Sequence, residues 1–352
     1  MAAGAGLAAE RGLVYPSEIH RFSDTATELE VFRLTDPAHR SWLPDSGRAV
    51  SRRGAFVIYA NDRSGSPQGY RLDLKTGQSH AFTEADQLVP ESLALTPDER
   101  GVDYFDGGVL MQANLTSLRS REVYRIPQGY EPGRSLHLSD DGLYAAIVEQ
   151  KGGANRIRLV AMRTGGAQTV VESPDSLADP MPRPRRAGIL YRRGNDGLWV
   201  VNFDGAQNRK LRLAAGGVGP AFWSADGRAV LYLNYPEDQK QLHNIRQHIP
   251  DTNEDRQVAN TTQFIAFGGN GDSSVFVGAS GSKASPYVLL LVRSVKRELT
   301  LCEHRASDPA QVNPVFSPNS QRIFFQSDRD GQMALYAMAV DKLVAETETE
   351  DH

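Results

Sequence analysis

A single cysteine, Cys302, stands in a chain of 352 residues. One thiol can close no internal disulfide, and there is no cysteine cluster for a structural zinc site. The chain therefore suits a reducing compartment, and the cytoplasm is its expected location. No apolar run approaches the roughly 18 residues that a membrane helix needs, so no membrane partner is expected. The opening stretch, Met1-Ala2-Ala3-Gly4-Ala5-Gly6-Leu7-Ala8-Ala9-Glu10-Arg11-Gly12, lacks a basic start followed by a sustained apolar core and makes a poor signal peptide. Charge of one sign is missing as well. A formal net charge of −4 leaves no basic footprint for nucleic acid. What remains is an ordinary globular balance, 40% apolar and 23% charged, long enough to bury a large core.

Periodicity is the strongest positive signal. Leu93-Ala94-Leu95-Thr96-Pro97-Asp98-Glu99, Leu136-His137-Leu138-Ser139-Asp140-Asp141-Gly142, Phe222-Trp223-Ser224-Ala225-Asp226-Gly227 and Phe316-Ser317-Pro318-Asn319 each run from a short apolar strand into a Ser/Thr-x-Asp/Asn-Gly-like turn. Asp and Asn bond their own backbone in such turns and Gly supplies positive φ, and an apolar strand follows each turn, as in a hairpin. A second hairpin comes after, clearest in Tyr70-Arg71-Leu72-Asp73-Leu74-Lys75-Thr76-Gly77 with its outer strand up to Phe82-Thr83. Hairpin starts near Val50, Leu93, Leu136, Arg183, Phe222, Phe264 and Phe316 give about one unit per 40 to 50 residues, the period of propeller blades. The fold class is thus all-β, a seven-bladed β-propeller over residues 25–341. It is preceded by a partly disordered extension, 1–24, and followed by an acidic disordered tail, 342–352. The last unit ends near Val340 with three strands, and residues 27–35 match the missing outer strand. Pairing them would close the ring and remove an open edge.

The blade turns resemble those of TolB-like propellers. A more specific series, Tyr15-Pro16-Ser17-Glu18-Ile19-His20-Arg21-Phe22, then Glu30-Val31-Phe32-Arg33-Leu34-Thr35, His39-Arg40, Tyr124-Arg125-Ile126-Pro127 and Phe222-Trp223, resembles the oligogalacturonate lyases along nearly the whole chain. That resemblance implies binding of acidic, galacturonate-type oligosaccharides from pectin and their cleavage by β-elimination, a carbon–oxygen lyase reaction. It also implies manganese at the channel mouth, held mainly by histidines. The metal would neutralise the uronate carboxylate and acidify the C5 proton for a nearby base.

The sequence departs from the family at each of those positions. A His-Pro-His segment before the seventh-blade turn is replaced by Gln311-Val312-Asn313-Pro314. Gln263 stands where the sixth blade would carry a ligand histidine, and Gly219-Pro220-Ala221 where the fifth would carry a catalytic one. Gly194-Asn195-Asp196-Gly197 shortens the fourth blade where the family places a catalytic arginine. Amide oxygens alone hold a first-row metal weakly, so no metal ligands and no catalytic residues are assigned, and manganese is expected only through the resemblance.

Candidate substrate-binding residues are His39, Arg40, Arg134, His137, Gln263, Gln311 and Asn313, all expected at the channel mouth. Arginine there could grip a carboxylate with two hydrogen bonds. His243 and His248 have the one metal-like spacing and read better as a surface strand or loop. The arginines between Arg183 and Arg193 read as solvated blade surface. Tyr104, Trp199 and Trp223 read as packing between blades. Asn61-Asp62-Arg63-Ser64-Gly65 and Asp328-Arg329-Asp330-Gly331 read as turns, lacking the ligand series of a calcium loop. Two other readings stay open: a non-catalytic binding propeller, and a TolB-like platform for a protein partner.

Overall fold

The second strand of a blade carries a continuous apolar run rather than an alternating one, as in Phe56–Asn61, Gly188–Arg193, Val230–Tyr235 and Val275–Ser280. A strand with this pattern is buried on both faces. The computed structural model, which describes residues 10–343 apart from Asp196 and Gln239, shows what covers those faces. Seven antiparallel sheets stand around a central channel, each packed on its neighbours. Apolar clusters fill the junctions between them. Leu190 and Leu198 of blade 4 meet Trp223, Val230 and Tyr232 of blade 5, and Ile157 and Leu159 of blade 3 meet Ile189 and Tyr191 of blade 4.

The repeated turns work as their residues predict. Ser139 Oγ donates to Asp141 Oδ1 at 2.6 Å, and Asp141 accepts the Leu143 amide at 2.9 Å. Ser224 and Asp226 repeat the arrangement at 2.7 Å, and Thr96 and Asp98 at 2.6 Å. Gly227 is required there twice over: its φ is +67°, and a Cβ would lie 2.1 Å from the Pro184 carbonyl oxygen of blade 4.

The ring closes as the sequence implies. Glu30–Arg33 pairs with Ala334–Ala339, with Phe32 opposite Ala337 and Arg33 opposite Tyr336. Buried Thr35 fastens the joint. Its Oγ1 accepts the Leu335 amide at 3.0 Å and the Ser41 hydroxyl at 3.0 Å, and Asn61 Nδ2 donates to Ser41 Oγ at 2.9 Å. This ties blade 7 to blade 1.

Residues 10–24 of the stretch before the propeller lie against its blades. Val14–Tyr15 adds a fifth strand to blade 1 against Ser79 and His80, and His20–Ser23 adds one to blade 7. Arg63 holds the segment down, forking onto Glu18 at 2.9 and 3.0 Å with its guanidinium 4.7 Å above the Tyr15 ring. Both outer blade edges are thereby covered. The expected disorder of the first residues and all but the start of the acidic tail fall outside the described residues. Among the described residues, no helix is long and apolar enough to cross a membrane.

Candidate functional site at the channel mouth

All seven blades send the start of their innermost strands to one end of the channel. There they enclose a cavity of about 520 Å³. Of the seven candidates, Arg40, Arg134, Gln311 and Asn313 line it. His39 is exposed in the turn before blade 1 and stays off the wall. Gln263 stands at φ +56° just before the inner strand of blade 6 and is not part of the lining. His137 lies in the inner strand of blade 3, behind the mouth, with Nδ1 buried and unpartnered. Burial holds its imidazole below the usual range, against the pull of Asp179.

Sequence reasoning missed the rest of the wall: Trp42, Asp45, Glu91, Asp179 and Asp308. Three of these carboxylates are already committed. Glu91 Oε1 accepts Arg134 Nη2 at 2.7 Å. Asp179 Oδ2 is 3.3 Å from Arg192 Nε, and Arg192 also donates to the carbonyl of Val218 at 3.2 Å. Asp308 accepts its own turn's Ala310 amide at 3.0 Å and Gln311 Nε2 at 2.9 Å.

Asp179 did leave a faint trace in the sequence. Asp179-Pro180 stands four residues ahead of Arg183, as Asn313-Pro314 stands four ahead of Ser317. Arg183 and Ser317 both close the inner turn through their amides, at 2.7 and 2.8 Å. Asp179 and Asn313 share left-handed φ values of +50° and +43°, a conformation that Asp and Asn tolerate better than other side chains. At Asp179 the inner strand of blade 4 bulges, with its register shifting between Ala178 and Met181. Bulges and strained φ often aim side chains at functional sites.

Among the described residues three charged groups of the wall have no ion pair: Asp308, whose two oxygens are both taken by its own turn, and Arg40 and Asp45. Arg40 is fixed by its backbone, whose amide donates to Asp62 Oδ1 at 2.9 Å. Its guanidinium lies 5.0 Å above the Trp42 ring, and its Nε is buried without a partner. Asp45 accepts a hydrogen bond from Asn313 Nδ2 at 3.2 Å, while its amide donates to the Glu91 carbonyl at 3.2 Å. Channel water reaches the Asp45 carboxyl, yet protein surrounds it. That enclosure, with Glu91 and Asp179 nearby and Arg134 opposing them, pushes it up to about 6.

The other sequence readings resolve as follows. Four of the five arginines from Arg183 to Arg193 are bound rather than simply solvated, and Arg185 stays exposed as read. Arg183 forks onto Asp251 at 3.0 Å and lies over Trp223, Arg186 reaches Asp251 at 2.7 Å, and Arg193 reaches Asp175 at 2.9 Å. Tyr104 and Trp223 are core residues, and Trp199 lies under Arg193. His248 is a correction: it is fully buried in its strand rather than at the surface, 3.6 Å from Asp255. His243 instead bonds the Phe264 carbonyl at 2.9 Å. The loops read as turns are turns, closed by Gly65 N to Asp62 O at 2.9 Å and Gly331 N to Asp328 O at 3.2 Å.

The residues at the mouth do not fit a histidine-rich metal centre. Pro220 and Pro314 line the wall where ligand or catalytic histidines were sought, and the Gln311 and Asn313 amides are engaged with Asp308 and Asp45. Among the described residues, no three His, Cys, Asp or Glu side chains converge as metal ligands. A larger groove of about 840 Å³ lies between blades 4 and 5, lined by Arg192, Lys210, Arg212 and the glycine-rich stretch up to Val218. It adjoins the mouth through the Arg192–Asp179 pair. Drawn mainly from two blades, its charged lining among the described residues is cationic, Arg192, Lys210 and Arg212, so the acid–base chemistry centres on the mouth.

No family model matches the chain. It is 24% identical over 383 residues to an oligogalacturonide lyase of Pectobacterium atrosepticum, covering 94% of this chain and 98% of that one. Among solved structures it is similar to an oligogalacturonate lyase in complex with manganese, at a TM-score of 0.89 and 22% identity over 95% of this chain and 99% of the other. An oligogalacturonate lyase from Vibrio parahaemolyticus superposes at a TM-score of 0.86 and 23% identity, again over 95% and 99%.

Proposed function

Because fold and distant sequence similarity point to the oligogalacturonate lyase and TolB-like propellers, we propose that the channel mouth binds acidic, galacturonate-type oligosaccharides. Arg40 carries this reading. Among the described residues no carboxylate lies within ion-pair distance of it, Asp328 feeling its charge only from further off, and its guanidinium stands over the Trp42 ring. A uronate carboxylate is the planar anion that a guanidinium fork matches. Glu91 and Asp179 do not oppose such a ligand, since Arg134 and Arg192 offset them, and Asp308 is turned into its own turn by two hydrogen bonds. Gln311 and Asn313, whose amide nitrogens are engaged, offer their side-chain oxygens as acceptors for sugar hydroxyls. The groove between blades 4 and 5 gives a longer oligosaccharide room to extend.

In this reading, neutralising the substrate carboxylate falls to Arg40, because the histidines a manganese centre would use are replaced. The protein works in the cytoplasm, where a lone thiol is safe. Cys302 is buried, and burial pushes its thiol well above the usual range, leaving it inert.

Calorimetry with trigalacturonate tests the reading. A charge-assisted hydrogen bond is worth about 1.5–3 kcal/mol. Arg40→Gln should therefore weaken binding roughly ten- to hundredfold, and uncharged trigalactose should not compete. Failure of the unaltered protein to bind any uronate oligomer would overturn it.

A further inference from the structure

We propose that Asp45 is the proton acceptor of the channel mouth, taking the C5 proton of a uronate whose carboxylate Arg40 holds. The inference rests on the uronate-binding reading above, takes the β-elimination that the resemblance implies, and adds to it the residue that removes the proton.

The geometry selects Asp45 by elimination. An acceptor must line the cavity and carry a carboxylate that is neither paired with a cation nor bonded through both oxygens. Glu91 is tied to Arg134 at 2.7 Å, Asp179 to Arg192 at 3.3 Å, and Asp308 to its own turn by two hydrogen bonds. His137 sits behind the wall with Nδ1 sealed from solvent, and His39 stands outside it. Asp45 keeps one contact to its carboxylate, the Asn313 amide at 3.2 Å, and no cation lies within ion-pair distance among the described residues.

Its position is also rigid. The adjoining backbone is bound on both sides, Asp45 N to the Glu91 carbonyl and Leu43 N to Gln326 Oε1 at 2.7 Å. Gln326 in turn donates to the Gln311 carbonyl at 2.8 Å, so the two neighbouring blades, 2 and 7, fix the loop that carries Asp45. A preset acceptor needs little reorganisation during reaction.

The surrounding groups suit the task. Glu91 and Asp179 face Asp45 as like charges and Arg134 opposes them, while Asn313 donates from blade 7 and His137 lies behind in blade 3. Acceptor strength is best when a group titrates near the working pH, and the enclosed Asp45 carboxyl lies at about 6.

The step balances without a co-reactant. The C5–H bond breaks, and its proton passes to an Asp45 oxygen. Its electron pair forms the C4–C5 double bond. The C4–O4 bond breaks with its pair on O4, which takes up the proton from Asp45 directly or through a water, restoring the carboxylate. One oligosaccharide yields a shorter one and an unsaturated uronate, and no water is consumed.

The test uses the full chain and two readouts: calorimetric binding of trigalacturonate, and ultraviolet absorbance of the unsaturated product. The unaltered protein should bind and turn over. The near-isosteric Asp45→Asn should bind within a few-fold of it but lose roughly 10²- to 10⁴-fold in kcat. Asp45→Glu, which keeps a carboxyl, should recover part of that loss. In the unaltered protein kcat/KM should fall as pH drops through about 6, and this limb should be absent from the residual activity of Asp45→Asn. Binding without turnover, or turnover that Asp45→Asn leaves unchanged, would overturn the assignment of Asp45 and leave the binding reading intact. An absence of binding would overturn both.

Discussion

Replacing Asp103 by asparagine should stabilise the propeller at neutral pH and leave its stability nearly unchanged near pH 4. Asp103 is buried in the second strand of blade 2, between Ala94 and Gln112. Burial pushes its carboxyl from an ordinary 3.8 up to about 7, although the Gln112 hydrogen bond at 2.8 Å and the Arg121 charge act in the other direction. The folded state thus holds a proton that the unfolded chain gives up. Between pH 3.8 and about 7 the unfolded state binds fewer protons, so stability falls as pH rises, by about 1.4 kcal/mol per pH unit. Across the interval this reaches at most roughly 4 kcal/mol. Asparagine keeps the acceptor for Gln112 and replaces the acid proton with amide hydrogens. Thermal unfolding of both proteins from pH 4 to pH 8 isolates the effect, because all other groups titrate in both. Asp103→Asn should gain steadily with pH and level off above about 7. A stability difference that is constant with pH, or a loss at pH 8, would refute the reasoning.

Other expectations follow from the blade joints and the mouth. Gly227→Ala must adopt positive φ and place a methyl against the Pro184 carbonyl, so it should cost about 2 kcal/mol or more. Gly47→Ala, with φ +69° and nothing within 4 Å, should cost only the backbone strain of about 1–2 kcal/mol; equal losses in thermal unfolding would contradict the blade-junction argument. Thr35→Val keeps the shape but strips the acceptor from the buried Leu335 amide, and should cost about 1–3 kcal/mol by the same measurement. Uronate binding should be indifferent to a chelator, since Arg40 supplies the counter-charge; loss of binding on chelation, restored by manganese, would show a metal in its place.

The sequence and the molecule agree where a residue pattern repeats. The Ser-x-Asp-Gly turns recur because each blade needs the same side-chain-capped bend, and so seven blades could be counted. Closure by residues near Glu30–Arg33 was legible because a unit with three strands demands a fourth. The ordered segment from Glu10 to Ser23 was not legible, since its two short strands and the Arg63–Glu18 pair form only against blades far away in sequence. The mouth was half legible for a similar reason. Arg40, Arg134, Gln311 and Asn313 precede recognisable turns, whereas Asp45, Glu91 and Asp308 are single acids in irregular connections. Their meaning depends on which arginine stands opposite, and that is set by the ring. The cluster from Arg183 to Arg193 illustrates the converse, a charge run that looks free in sequence and of which all but Arg185 pairs in space with Asp251, Asp175 or Asp179.

A crystal structure with trigalacturonate tests the central claim most directly. The account places one uronate carboxylate within about 3 Å of the Arg40 guanidinium, with the sugar facing Asp45 and the chain leading toward the groove between blades 4 and 5. An oligosaccharide seated wholly in that groove or on another face, with the mouth and Arg40 untouched, would contradict it.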